Sequence, residues 1–109
     1  MNKLGGRSAL HYAVLTNNRQ LVNLLIKNYA DVLIKDLHDQ TPMHLLCMKS
    51  QGSIGNLEIF KILLNSCYDA KDSLDVKKKS PMDYAKESGF DHIIEYAKTV
   101  TDVLFSRDY

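Results

Sequence analysis

The chain is 109 residues long, with 45% apolar and 25% charged residues, the balance of one small globular domain. Fourteen basic residues against thirteen acidic ones leave a net charge of +1, which gives no broad electropositive field for nucleic acid or a membrane surface. No apolar run approaches the ~18 residues of a membrane span, Met1 to Gly6 lacks the apolar core of a signal peptide, and two cysteines, Cys47 and Cys67, are too few for a disulfide framework, so an intracellular setting, cytoplasmic or nuclear, is expected.

The first predicted helix runs from Ala9 to Thr16, opened by the tetrad Ser8-Ala9-Leu10-His11; a turn at Asn17 precedes the apolar run Leu21 to Ile26. The same signals return at Thr41-Pro42-Met43-His44: a helix from Pro42 to Met48, a turn ending at Gly55, and the run Ile59 to Leu64. They return again at Ser80-Pro81-Met82-Asp83, with a helix from Pro81 to Ser88, a turn at Gly89 and the run Ile93 to Lys98. Ser8 and Thr41 stand 33 residues apart, and Thr41 and Ser80 stand 39 apart. Self-similarity at such a period marks a stack of supersecondary units.

Each tetrad has legible chemistry. The hydroxyl of Ser8, Thr41 or Ser80 can accept a backbone N–H at a helix start. Pro42 and Pro81 suit the first helical position, where no hydrogen bond is lost. Leu10, Met43 and Met82 are then the first core residue of each unit. Asn17, Gly55 and Gly89 each lie four residues before Leu21, Ile59 and Ile93, and Asn and Gly tolerate the left-handed backbone that ends a helix.

Ser8-Ala9-Leu10-His11-Tyr12-Ala13, Thr41-Pro42-Met43-His44-Leu45-Leu46 and Ser80-Pro81-Met82-Asp83-Tyr84-Ala85 resemble the Thr-Pro-Leu-His-x-Ala signature of the ankyrin repeat, whose period is 33 residues. The resemblance extends over about residues 3 to 99. Ala30-Asp31 matches the Gly-Ala-Asp that ends a repeat, with Tyr29 in the Gly place, and Asp36 and Asp75 lie where the family often has Asp. It implies an all-α solenoid of three helix-turn-helix units joined by β-hairpin-like loops, with repeats at about 4–36, 37–75 and 76–99 and a helical extension over 100–109. It also implies that His11 and His44 bridge neighbouring repeats by hydrogen bonds.

Departures from the pattern carry information. Asp39 and Lys78 replace the Gly usual at the hairpin turn, which Gly6 keeps, and Leu46 and Cys47 replace small residues, so the helices there are expected to sit further apart. Five of the six extra residues of the second unit fall in the inter-helix turn around Lys49 to Gly55, and the sixth falls around Tyr68 to Leu74. That polar, Gly-rich turn reads as a surface loop, either a tolerated insertion or a binding element. Lys86-Glu87-Ser88 gives the third unit the polar outer side of a terminal cap, and Ile93, Tyr96, Val100 and Val103 carry its last helix onward, with Leu104 and Phe105 able to fold back. The first unit has no polar outer side. The chain is therefore expected to be a fragment of a longer protein, with dimerisation as the alternative; a monomer or weak dimer is expected in isolation.

Candidate chemistry is sparse. His44 and Cys47 have the spacing of half a zinc site, but four ligands are needed and the rest are scattered, so no metal or other cofactor is expected. Cys67 has acidic neighbours, Asp69 and Asp72, and no motif supplies a phosphate loop or paired catalytic carboxylates, so no enzyme is expected. Lys77-Lys78-Lys79 is the one charge run and lacks the interleaved aromatics of a nucleic-acid site. The resemblance implies docking of another protein on the hairpin tips and the exposed side of the first helices. By matched position these residues are Tyr12, Leu15 and Thr16, then Leu45, Met48 and Lys49, then Tyr84 and Glu87, with His38 and Lys78 at the tips. Tyr12 and Tyr84 are the expected anchors, and Leu15 and Met48 the apolar middle, unless Tyr12, Leu45 and Tyr84 pack on one another. A regulatory or targeting segment of a larger enzyme, or of a lipid- or acyl-CoA-binding protein, is the alternative.

Overall fold

Helices of seven, five and eight residues, such as those that open the three units, cannot persist alone in water and hold only by packing on their neighbours. In the computed structural model, which describes residues 6–105, six α-helices pair into three helix-turn-helix units. They are α1 (Ala9–Leu15) with α2 (Arg19–Lys27), α3 (Pro42–Leu46) with α4 (Leu57–Ser66), and α5 (Pro81–Ser88) with α6 (Asp91–Phe105). The first helices stack as one row, α1 on α3 on α5, and the second as another, α2 on α4 on α6. The molecule measures 52 × 30 × 21 Å, the elongated form of a solenoid, and no strand occurs among the described residues. Its core lies between the rows, where Leu10, Met43, Ile59, Phe60, Leu63 and Ile93 are buried. Met82, the third unit's counterpart of Leu10 and Met43, is only half-buried.

All three first helices start on a reciprocal cap. Ser8 Oγ accepts from His11 N at 3.3 Å while His11 Nδ1 accepts from Ser8 N at 3.0 Å. Thr41 and His44 repeat the exchange at 3.3 and 3.0 Å, and Ser80 and Asp83 at 3.3 and 2.9 Å. Two of the four orphan N–H groups at each helix start are thereby satisfied. The second helices begin earlier than their apolar runs, because Asn18 and Asn56 cap α2 and α4 by accepting from Leu21 N at 3.0 Å and Ile59 N at 3.1 Å. Asn17, Gly55 and Gly89 all have positive φ, the left-handed turn their residue types suggested.

Two hairpin-like loops join the units. Asp36 N donates to Gln40 O, and Asp75 N to Lys79 O, each at 3.0 Å, and Val76 N to His38 O at 3.1 Å ties one loop to the next. Asp39 and Lys78 hold the left-handed backbone at their tips, at φ 58° and 63°, where Gly6 sits at 73°.

The second unit absorbs its extra residues by shortening α3, which stops at Leu46 and not at Met48. A 3-10 turn follows over Lys49–Gln51, and another lies at Tyr68–Asp72 after α4. Leu46 and Cys47 are both fully buried against their neighbours. Helix α6 continues straight to Phe105, with Tyr68 Oη hydrogen-bonded to Thr101 Oγ1. Leu104 does not fold back as expected: on a continuous helix it stays 57% exposed, and Val103 72%. The side chain of Phe105, the expected start of the first repeat at residue 4 and the expected extension past residue 105 lie outside the described residues.

Candidate partner-binding surface

His11 and His44 show how the units are joined. His11 Nε2 donates across to Gln40 O at 2.7 Å, and His44 Nε2 to Lys79 O at 2.9 Å, while each Nδ1 accepts its cap N–H. Both rings are therefore held as the neutral Nε2–H tautomer. Burial lowers both pKa values from the ordinary imidazole value, only partly offset by the bonds to the two carbonyls. His44 thus has no lone pair left for a metal, and burial pushes the Cys47 thiol up, away from thiolate.

A second set of bonds gathers on Asp75. Its Oδ1 accepts from Lys77 N at 2.9 Å and Lys79 N at 3.0 Å; its Oδ2 accepts from Gln40 Nε2 at 3.1 Å and from the Tyr84 hydroxyl. Burial alone would raise this carboxyl, but the bonds from Tyr84, Lys79 N, Gln40 and Lys77 N outweigh it and hold the pKa at about 2. Burial and the same bond push Tyr84 up to about 12.

Beside this network an open groove of about 490 Å³ lies between the loop after α3, helix α5 and the second hairpin loop, at residues 75–79. Met48 and Tyr84 form its apolar floor, and Lys49, Ser50, Lys77, Lys79, Glu87 and Ser88 its polar wall. Ser88 Oγ fixes one corner by accepting from Lys49 N at 3.0 Å and donating to Cys47 O at 2.9 Å.

Of the residues expected on a binding side, the structure brings Met48, Lys49, Tyr84 and Glu87 together around this groove. His38 and Lys78 stand exposed at the hairpin tips, Thr16 is exposed, and Tyr12 and Leu15 are half-buried. Leu15 does not join Met48 in one apolar middle: it lines a separate hollow of about 110 Å³ with Leu46 and Ile54. Leu45 is a correction. It is fully buried, because α3 lies between α1 and α5 and an apolar side chain there completes the core. Tyr84, at the matched position of the third unit, retains 7% exposure, with its hydroxyl tied to Asp75 and its ring edge-on to His44 at 5.9 Å. Asp75 stands at a recurring position, but its bonds to Gln40 and Tyr84 are not legible in the sequence, because these partners lie on separate segments.

The family model described as the ankyrin repeat matches residues 5–37. The chain is 29% identical over 110 aligned positions to an ankyrin repeat protein of fowlpox virus, covering 77% of each. It is 39% identical over 66 residues to an ankyrin repeat protein of Acanthamoeba polyphaga mimivirus, covering 61% of this chain. Residues 5–37 match an ankyrin repeat, and over most of its length the chain is similar to ankyrin repeat proteins. It spans only 8% of the mimivirus protein's length. Ankyrin repeats generally mediate protein–protein interaction, and the stacked histidine bridges and paired loops are the framework on which this chain presents its groove. No helix of the described residues is long and apolar enough to cross a membrane.

Proposed function

We propose that this chain is a protein-interaction module whose partner docks in the groove between the loop after α3, helix α5 and the second hairpin loop. The observation that carries the reading is the groove itself: residues 48–50 of the second unit meet residues 77–88 of the third around an apolar floor with a charged rim, the anatomy of an interface centre. Binding fits better than catalysis, because His11 and His44 spend both ring nitrogens on the fold and Cys47 is sealed in the core. The test is a photo-crosslinking amino acid placed at Ser50 and, separately, at Asn65, which is exposed on α4 away from the groove. One protein captured from the native cell at Ser50 and not at Asn65, and rebinding the purified chain, supports the reading; equal capture at both positions overturns it.

The long mimivirus relative favours a second reading, in which the stack serves as a regulatory or targeting segment of a larger protein. The full-length open reading frame decides it: a second domain is the expected result, and a frame ending with this stack excludes it.

A further inference from the structure

Within the groove the charges are unevenly committed. Lys79 Nζ pairs with Glu87 at 2.5 Å and sits 5.4 Å from the centre of the Tyr84 ring, so it closes one end and covers the aromatic face. Lys77, on the same loop as Lys79, and Lys49, on the loop after α3, line the same groove, and among the described residues neither ammonium pairs with a carboxylate. Holding two unpaired cations beside one concave site while the chain as a whole carries only +1 concentrates positive potential there. The floor between them is Met48 and Tyr84, which are 9% and 7% exposed. Met48 is a flexible side chain that can adapt to an inserted apolar group.

Resting on the reading of the groove as the docking site, we propose that its occupant is an acidic peptide segment of the partner protein. Its carboxylates bridge Lys49 and Lys77, and an apolar side chain between them rests on Met48. A peptide fits better than a single-stranded nucleic acid, because base stacking needs an open aromatic face and Tyr84 has given its face to Lys79. Glu87 acts as an internal competitor: by occupying Lys79 it limits the site to two free cations.

The test is fluorescence anisotropy with a fluorescein-labelled peptide alternating Glu and Asp with two Leu, its Gln/Asn counterpart, and an oligo-dT dodecamer. The expected result is binding of the acidic peptide alone, weakening as salt rises from about 50 to about 300 mM. Lys49→Glu with Lys77→Glu should weaken it about tenfold or more, through both lost attraction and new repulsion. Glu87→Gln should tighten it about threefold by freeing Lys79. Because these side chains are exposed or on the rim, a circular dichroism spectrum identical to wild type is expected for each variant. Equal binding of the Gln/Asn peptide, tighter binding of the dodecamer, or no response to the double reversal overturns the proposal. If it fails while Ser50 still crosslinks a partner, the groove remains the docking site and only its acidic preference falls.

Discussion

Two seams join the three units, and the same positions serve both. At the seam between the first and second units, His11 reaches the Gln40 carbonyl, Arg7 Nε faces Asp36 Oδ2 at 3.6 Å, and Asn17 accepts a side-chain hydrogen bond from Asn56. At the seam between the second and third, His44 reaches the Lys79 carbonyl, Gln40 takes the place of Arg7 and bonds Asp75, and Gly55 takes the place of Asn17. The histidine bond is common to both. The outer aspartate oxygen is not: Asp36 Oδ2 is buried with no hydrogen-bond partner, whereas Asp75 Oδ2 has two. The hydroxyl that completes Asp75 comes from Tyr84; the matched residue beside Asp36 is Leu45, which has none to give. One framework thus yields a seam whose outer aspartate oxygen is closed by two side-chain bonds and another where that oxygen meets only the Arg7 guanidinium at 3.6 Å.

The largest contrast is expected at the turns. At Gly55 an added Cβ would lie 2.8 Å from the Phe90 ring, closer than atoms can sit, and its carbonyl accepts from His92 Nε2 at 2.6 Å. Asn tolerates the left-handed backbone, so Gly55→Asn isolates the packing effect from the φ of 64°. That change should cost about 3 kcal/mol through forced displacement of Phe90. The converse, Asn17→Gly at the first seam, should stay within about 0.5 kcal/mol, since Asn17 is exposed and its bond to Asn56 lies at the surface. Urea unfolding midpoints measure both; equal losses would mean the two turns bear on their neighbours alike.

Next comes the outer oxygen. Asp75→Asn keeps the turn-forming Oδ1 but replaces Oδ2 by an NH2 that opposes Gln40 Nε2 and leaves Tyr84 a weaker partner, with an expected loss of about 2 kcal/mol. Asp36→Asn removes only the 3.6 Å contact to Arg7 and should cost under about 1 kcal/mol. A larger loss at Asp36 would assign the closed seam to the wrong end of the stack.

These tests also mark what the sequence could and could not disclose. Ser8, Thr41 and Ser80 were legible because a cap is local: a hydroxyl and its N3 partner are three residues apart, whatever the rest of the chain does. Asn17, Gly55 and Gly89 were legible because backbone handedness restricts the residue type. Gln40, Asp75 and Tyr84 were not legible as a unit, since they lie on three segments and meet only after stacking. Matched position put Leu45 and Tyr84 on one surface, yet the same place in the repeat is covered in the middle unit and partly open in the last. The groove is hidden for a similar reason: the insertion folds into a 3-10 turn whose Lys49 N is held by Ser88, a contact between residues 39 apart that no local pattern announces.

Acid should separate the seams in two stages. His11 and His44 have lowered pKa values in the folded chain, so the fold binds fewer protons than the unfolded chain. Stability is full above about pH 6.5 and declines as pH falls below it, at both seams together. Asp75 contributes stability that is present above its ordinary pKa of 3.8 and lost as pH falls toward about 2. From that difference the loss should approach about 2 kcal/mol. Thermal unfolding followed from pH 8 to pH 2 should show both stages in the wild type and only the first in Asp75→Asn. Persistence of the lower stage in that variant would place its origin outside the second seam.

The smallest effect runs the other way. Asp39 and Lys78 occupy left-handed backbone at the two hairpin tips, at φ 58° and 63°, and Tyr29 does so at 67° while 95% exposed. A side chain in that region costs roughly 1–2 kcal/mol relative to ordinary backbone, of which Gly would recover all but the entropy it loses on folding. Asp39→Gly, Lys78→Gly and Tyr29→Gly should each therefore stabilise the fold by about 0.5–1 kcal/mol. Asp39 and Lys78 sit at matched places on opposite sides of the second unit, and neither side chain is needed by the turn, which is closed by Asp36 and Asp75. Equal gains at the two tips would show that the seams share one backbone design and differ only in side-chain bonds. A gain at one tip alone would move the difference into the loops themselves.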